Sequence, residues 1–362
     1  MKGVNDSPHP IRVLVVDDSA FTRMALTRMI ESDPALCVTE TAQSGREALE
    51  KIASLHPDVV TLDIEMPGMN GLETLKRIMR EFPCSVIMVS SLSQEGAETT
   101  LEALAWGAFD YVPKQLSGTS LDIVRIREDL IAKIKAAAES KAHVVMKIPS
   151  HAAVARARSI ATAAVRASPD IVAVGTSTGG PQALQEILPL LPADLPVGVL
   201  IVQHMPPGFT APFAQRLNNL CKVTVREAAD NDSVEPGVVY IAPAGGHMTI
   251  FRGARSQVAI RISSTPQGML HIPSVDVMML SVAEVFRSAA MGIIMTGMGS
   301  DGLEGMRAIA REGGITIGQD KSSCIVYGMP RVCAENGILQ RVVPLPEIPQ
   351  HIIQATLHRQ RA

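Results

Sequence analysis

The sequence predicts an α/β protein built from two doubly wound, mainly parallel sheets joined by a linker. Three observations carry that expectation. The 362 residues exceed one ordinary domain of about 100–200 residues. Short β-branched runs alternate with amphipathic stretches along most of the chain, the rhythm of strand–helix–strand units. Charge divides the chain in three. Residues 1–139 carry 14 basic and 21 acidic side chains, net −7; residues 140–169 carry five basic and no acidic ones, net +5. Residues 170–362 carry 14 basic and 15 acidic ones, net −1, and the three parts sum to the overall −3.

In the first part the strand-like runs are 11–16, 37–41, 58–62, 85–89 and 109–112. Helical patterns lie between and after them, near 20–31, 45–54, 71–81, 94–106 and 120–139. The runs are apolar with little alternation, as strands buried on both faces must be, so the sheet is parallel. Five such units in about 130 residues fit a flavodoxin-like winding. The stretch 140–169 is rich in Ala, Ser and Arg, ends in Ser168-Pro169 and reads as a linker. The third part repeats the pattern with runs at 171–174, 198–202, 223–227, 238–242, 292–295 and 316–317. The runs 249–251 and 258–262 flank Arg252-Gly253-Ala254-Arg255 and read as a hairpin.

Composition excludes several functions. A near-neutral chain lacks the basic surplus of a nucleic-acid binder, and 3% aromatic residues cannot build a base-stacking platform. The apolar runs fall far short of the roughly 18 residues of a membrane span. The first ten residues, MKGVNDSPHP, contain no apolar signal-peptide core. Five cysteines with no CxxC pair read as reduced thiols of a cytoplasmic protein.

Open α/β sheets bind ligands beyond the carboxyl ends of their strands. In the first domain those ends carry Asp17-Asp18, Asp63 and Ser90-Ser91, and the fifth leads to Lys114. Three carboxylates in one crevice repel one another, and a wet all-oxygen pocket suits Mg²⁺. Asp63 is then a candidate nucleophile toward a phosphoryl group, with Lys114 and the Ser90 hydroxyl on its oxygens. Singly, such an Asp is most often a helix cap and such a Lys solvated surface; the set of four strand ends outweighs that. The blocks VVDDS, DIEMPGMNGLE, MVSSLS and GAFDYVPK, in this order, resemble a two-component receiver domain. The resemblance implies that Asp63 is the phosphoacceptor. It implies Mg²⁺ held by Asp18, Asp63 and the Glu65 backbone carbonyl, with Asp17 nearby. Ser90 and Tyr111 would be the switch pair and Lys114 the conserved amine. Gln115 stands where the family usually has Pro.

In the second domain, Gly175-Thr176-Ser177-Thr178-Gly179 satisfies G-x-S-x-G between a strand and a helical pattern. The helix N-terminus that follows offers free N–H groups to an oxyanion. A plain turn and a dinucleotide cradle compete with this reading. The cradle is disfavoured because Ser177 replaces its middle Gly and the next strand ends in Gln203-His204, not in an acid. A serine needs a base and the base a carboxylate. His204 ends the next strand and should lie beside Ser177, with His247 as rival; His271 sits in a probable loop and lacks that position. Asp301 lies in the Gly-rich loop 296–302 after another strand. Asp276 ranks second, because Ser274 and Asp276 read as a helix cap and a first-turn acid. The order Ser, His, Asp departs from that of the α/β-hydrolases.

VGTSTGGPQAL, VLIVQHMPPGFT, VVYIAPAGGHM, PSVDVMMLSVAEVF, GIIMTGMGSDGLEGM and TIGQDKSSCIVYGMPR resemble the CheB family of chemotaxis protein-glutamate methylesterases. With the receiver in front, the resemblance spans nearly the whole chain. It implies a Rossmann-like α/β serine hydrolase domain over 170–362, behind a receiver over 1–139 and a linker over 140–169. Ser177 would be the nucleophile, His204 the base and Asp301 its partner, with the backbone near Thr178 and Met298 binding the oxyanion. The implied substrates are methylated chemoreceptors, whose glutamate esters are hydrolysed with release of methanol and some of whose glutamines are deamidated. The implied phosphodonor is a CheA-type histidine kinase, with Mg²⁺ needed for phosphorylation and no cofactor for the esterase. Neither nucleic acid nor membrane insertion is implied. A DNA-binding regulator is disfavoured by the −1 charge of the third part, and a catalytically dead scaffold by the complete Ser/His/Asp set.

Overall fold

The computed structural model describes residues 9–91, 93–114, 120–140, 168–253 and 257–357. The proposed linker falls almost wholly, and Gln115 wholly, outside them. In the first domain β1 (Ile11–Val16), β2 (Leu36–Ala42), β3 (Val59–Asp63), β4 (Ser85–Ser90) and β5 (Asp110–Pro113) form one parallel sheet, in the order β2-β1-β3-β4-β5. The helices are α1 (Ala20–Ile30), α2 (Gly45–Leu55), α3 (Gly71–Glu81), α4 (Gln94–Ala105) and α5 (Ser120–Glu139). Ser19, Ser44, Asn70 and Ser93 cap the first four, each accepting a backbone N–H from three residues on. Strands β3 and β4 are buried throughout because helices cover both faces. Leu26, Ile30, Leu130 and Ile134 of α1 and α5 pack on one face; Leu49, Leu75 and Leu101 of α2, α3 and α4 pack on the other.

The second domain holds a seven-stranded parallel sheet, ordered β14-β13-β12-β6-β7-β9-β8. Its strands are β6 (Ile171–Thr176), β7 (Gly198–Gln203), β8 (Thr224–Glu227), β9 (Val238–Ile241), β12 (Ala290–Ile294), β13 (Ile315–Gln319) and β14 (Arg341–Val343). The expected hairpin is present as β10 (His247–Arg252) and β11 (Val258–Ser263), paired antiparallel. The helices are α6 (Gly180–Ile187), α7 (Thr210–Leu220), α8 (Val275–Phe286), α9 (Leu303–Arg311), α10 (Met329–Glu335) and α11 (Ile348–Leu357). From β6 the chain runs one way through β7, β8 and β9, and the other way through β12, β13 and β14. The order therefore reverses between β6 and β12, and a crevice opens beyond their carboxyl ends. In the first sheet the same reversal lies between β1 and β3.

Candidate active site

Both crevices carry the side chains read from the sequence. In the second domain β6 ends at the buried Thr176, whose Oγ1 donates to the Thr296 carbonyl at 2.8 Å. The Ser177 N–H donates to the same carbonyl at 3.0 Å, which stitches the serine turn to the loop after β12. The turn closes through Gly180 N–H on Ser177 O at 2.8 Å, and Gln203 Nε2 donates to Ser177 O at 3.0 Å. Gly179 turns the chain at φ +76°, where a side chain is strained, and Pro181 lies in the first turn of α6. Gly297 lets the second loop approach. A Cβ there would stand 2.3 Å from Met329 Sδ and 2.9 Å from Ser177 Cβ. Among the described residues the N–H groups of Thr178 and Met298 donate to no acceptor. Uncommitted N–H groups in loops beside a serine are donors an oxyanion can use.

His204 follows β7, the neighbour of β6, with Gln203 opposite Thr176. Its Nε2 lies 2.8 Å from Asp301 Oδ2. A carboxylate only accepts, so Nε2 donates, and the buried Nδ1 has no partner among the described residues. Asp301 is held from the other side by Ser274 Oγ at 2.8 Å and by the N–H groups of Val275 at 2.8 Å and Asp276 at 3.0 Å, the start of α8. Burial alone would raise its pKa. The His204 hydrogen bond and charge, with those N–H donors, reverse this and hold it below the usual carboxylate range. Asp276 points away and accepts Gly305 N–H at 2.8 Å, while Ser274 caps α8. His247 does not compete as base. It is fully buried, its Nδ1 accepts the Ser274 N–H at 3.1 Å and its Nε2 lies 3.2 Å from Pro266 O. His271 corrects the reading from the sequence. Its loop folds back and stacks its ring on His204, centroids 4.0 Å apart and planes 15° from parallel.

In the first domain Asp17, Asp18 and Asp63 bring carboxylate oxygens within 4.8 Å of one another. Lys114 Nζ reaches Asp63 Oδ2 at 2.6 Å and Asp17 Oδ2 at 3.0 Å. Burial, then the charge of Asp17, push Asp63 up to about 6 against the pull of Lys114. Glu65 lies beside them, its N–H 3.4 Å from Asp63 Oδ1. The buried Ser90 hydroxyl is engaged away from Asp63: it donates to Ser91 O at 3.0 Å and accepts from Thr100 Oγ1 at 2.7 Å.

The two sites are linked by contact. The Tyr111 ring stacks on Phe209 at 4.9 Å and 8°. Gln182, on the helix that starts at the serine turn, donates Nε2 to Leu104 O at 3.0 Å and Ala108 O at 2.7 Å. Ile325 and Val326, from the loop beside Gly297, pack on the core under α1 and α5. Asp110, buried next to Tyr111, is pushed up by burial; Lys133, the Tyr111 N–H and the Thr178 hydroxyl oppose that shift.

Residues 172–352 match the CheB methylesterase family, and residues 13–124 match the response regulator receiver domain. The chain belongs to the CheB methylesterase family. A relative from Symbiobacterium thermophilum, named protein-glutamate methylesterase/protein-glutamine glutaminase, is 47% identical over 355 residues, covering 96% of this chain and 97% of its own length. A relative from Oleidesulfovibrio alaskensis, named protein-glutamate methylesterase/protein-glutamine glutaminase 1, is 44% identical over 370 residues, covering 95% and 99%. The crystal structure of the Thermotoga maritima CheB methylesterase catalytic domain matches with a TM-score of 0.50 at 39% identity, covering 52% of this chain and 98% of that one. Within this CheB-family chain, sequence reasoning missed His271, Ser274 as an Asp301 partner, and the Gln182 and Phe209 contacts. The Pro-Pro-Gly turn before Phe209 was the one available signal, since it presents a rare aromatic at the start of a helix.

Proposed function

We propose that this chain is a phosphorylation-gated serine hydrolase that cleaves glutamate γ-methyl esters of chemoreceptors, releasing methanol, and deamidates receptor glutamines. The observation that carries the reading is His204, bound to Asp301 at 2.8 Å with Nδ1 unpartnered, beside the Ser177 turn. Nδ1 takes the Ser177 proton as Oγ attacks the ester carbonyl. The N–H groups of Thr178 and Met298 receive the oxyanion. Methanol leaves with the proton from the imidazolium, and water then hydrolyses the acyl-enzyme by the same route. Asp301 stays ionised and stabilises the imidazolium. An amide leaves less readily than a methyl ester, so deamidation leans harder on proton donation by His204.

Asp63 is read as the phosphoacceptor, supplied by a CheA-type histidine kinase. Mg²⁺ fits the site because three clustered carboxylates, an all-oxygen donor set, share the single ammonium of Lys114. Asp18, Asp63 and the Glu65 carbonyl would hold it, with Asp17 adjacent; when bound it neutralises charge on the phosphoryl oxygens. Without phosphate the receiver docks against the serine turn through Tyr111, Leu104 and Ala108, and phosphorylation weakens that contact. A cytoplasmic location is read from five cysteines with no CxxC pair.

The test is methanol release from methylated receptor, with and without acetyl phosphate. The intact chain should accelerate with the phosphodonor and Ser177→Ala should be inactive. Activity surviving in Ser177→Ala sinks the assignment.

A further inference from the structure

A base is useful only if its ring is fixed. Asp301 is rigid, with three donors besides His204. His204 is less constrained. Among the described residues its one ring hydrogen bond is at Nε2, and one hydrogen bond leaves the ring free to tilt about that contact. A tilt swings Nδ1, the nitrogen that must meet Ser177. What opposes the tilt is the flat face of His271, 4.0 Å away and 15° from parallel.

The loop behind His271 is itself anchored. His247 grips it twice: Nδ1 accepts from Ser274 N–H at 3.1 Å and, because that nitrogen accepts, Nε2–H donates to Pro266 O at 3.2 Å. Gly245 N–H adds a bond to Ile272 O at 3.4 Å. The segment is tied on both sides of His271. The neighbour is also electrically suitable. Burial, and secondarily the charge of His204, push His271 down to about 4, so it is neutral at pH 7. A cationic ring there would oppose the imidazolium that His204 must become.

We propose that His271 is a positioning residue of this hydrolase, a wall that holds the His204 ring in the plane from which Nδ1 meets Ser177. It touches neither substrate nor reacting atoms and acts through His204 alone. The inference rests on the proposed roles of Ser177, His204 and Asp301. It predicts that a flat ring is needed at position 271, and that imidazole nitrogens are not.

The experiment uses the full chain with Mg²⁺ and acetyl phosphate, a peptide bearing a γ-glutamyl methyl ester, and methanol as readout. Steady-state constants are compared for His271→Ala, His271→Leu and His271→Phe, with thermal unfolding recorded for each. Misplacing a reacting group by about 1 Å costs up to roughly 100-fold, so His271→Ala should lose about 10–100-fold in kcat with KM within about twofold. His271→Phe should return to within about threefold of the parent, because it restores a stacking face. His271→Leu fills the volume without a flat ring and should stay low even where its unfolding temperature matches that of His271→Phe. Leucine as active as phenylalanine would reduce the role to space filling. An alanine variant as fast as the parent, or a phenylalanine variant as slow as alanine, would also overturn the proposal. Ser177→Ala runs alongside. If it keeps activity, the triad reading fails; if it is dead while the His271 series is flat, only this inference fails.

Discussion

Gln182→Glu perturbs the docked receiver with almost no change of shape. Gln182 Nε2 donates to two receiver carbonyls, Leu104 O at 3.0 Å and Ala108 O at 2.7 Å. Glutamate cannot donate and would set an anionic oxygen against both carbonyls. Each lost hydrogen bond is worth about 1 kcal/mol net, so the pair removes about 2 kcal/mol from docking before repulsion is added. That is roughly a 30-fold change in the docking equilibrium. If about 1% of unphosphorylated molecules are open, the variant leaves roughly a quarter open. The assay is methanol release without phosphodonor, set against the rate at saturating acetyl phosphate. The unphosphorylated rate should rise more than tenfold while the phosphorylated ceiling stays within about twofold. A resting rate that does not move, with the ceiling intact, would refute the docking contact as the brake. A collapsed ceiling would show instead that position 182 supports the serine turn.

Other outcomes follow from the same geometry. Asp63→Asn should abolish acceleration by acetyl phosphate, read as the ratio of rates with and without it. Asp301→Asn should lower kcat by about 10⁴-fold, since it removes the charge that fixes the His204 tautomer, with receptor binding within about twofold in a pull-down. The depressed pKa of His271 has a definite sign for stability. Below about 6.5 the unfolded chain takes up a proton that the folded ring refuses until about pH 4, so stability falls on acidification. Urea unfolding at pH 7 and pH 5 should show His271→Phe losing less stability than the parent, by about 2 kcal/mol at most.

The strands were legible because parallel sheets bury both faces: Ile171–Thr176 and Gly198–Gln203 are buried along their whole length, so no polar residue interrupts the signal. Strand Arg341–Val343 was not legible. Two of its three residues are exposed, and it exists only because it pairs at the edge with Ile317–Gln319. The serine turn was legible because its glycines answer a local demand. Asp301 could be ranked above Asp276 because the cap chemistry of Ser274 already accounted for the latter. His271 could not be placed, since its partner is reached by a loop whose return path depends on the buried His247. Gln182 and Phe209 escaped for the same reason. Each looks like an ordinary helix or turn residue until the other domain covers it.

The docked arrangement carries its own tendency to open. Among the described residues the Tyr111 hydroxyl and Gln182 Oε1 are buried without partners. A buried polar atom left unpaired costs about 1–3 kcal/mol, which opposes the gain of about 0.5–1.5 kcal/mol from an aromatic stack such as Tyr111 on Phe209. Both orphans lie at the contact, so separation returns them to water. Both therefore favour opening, which lowers what the trigger must supply. Ser90 ties the end of β4 to α4, donating to Ser91 O and accepting from Thr100. In the proposed switch, drawing its hydroxyl toward a phosphoryl group on Asp63 would break those ties. Helix α4 packs against α6 and α7 and carries the Leu104 carbonyl that Gln182 holds. The hydrogen bonds at Ser90 are comparable in number to the two that Gln182 makes, so rearranging them can shift the docking equilibrium.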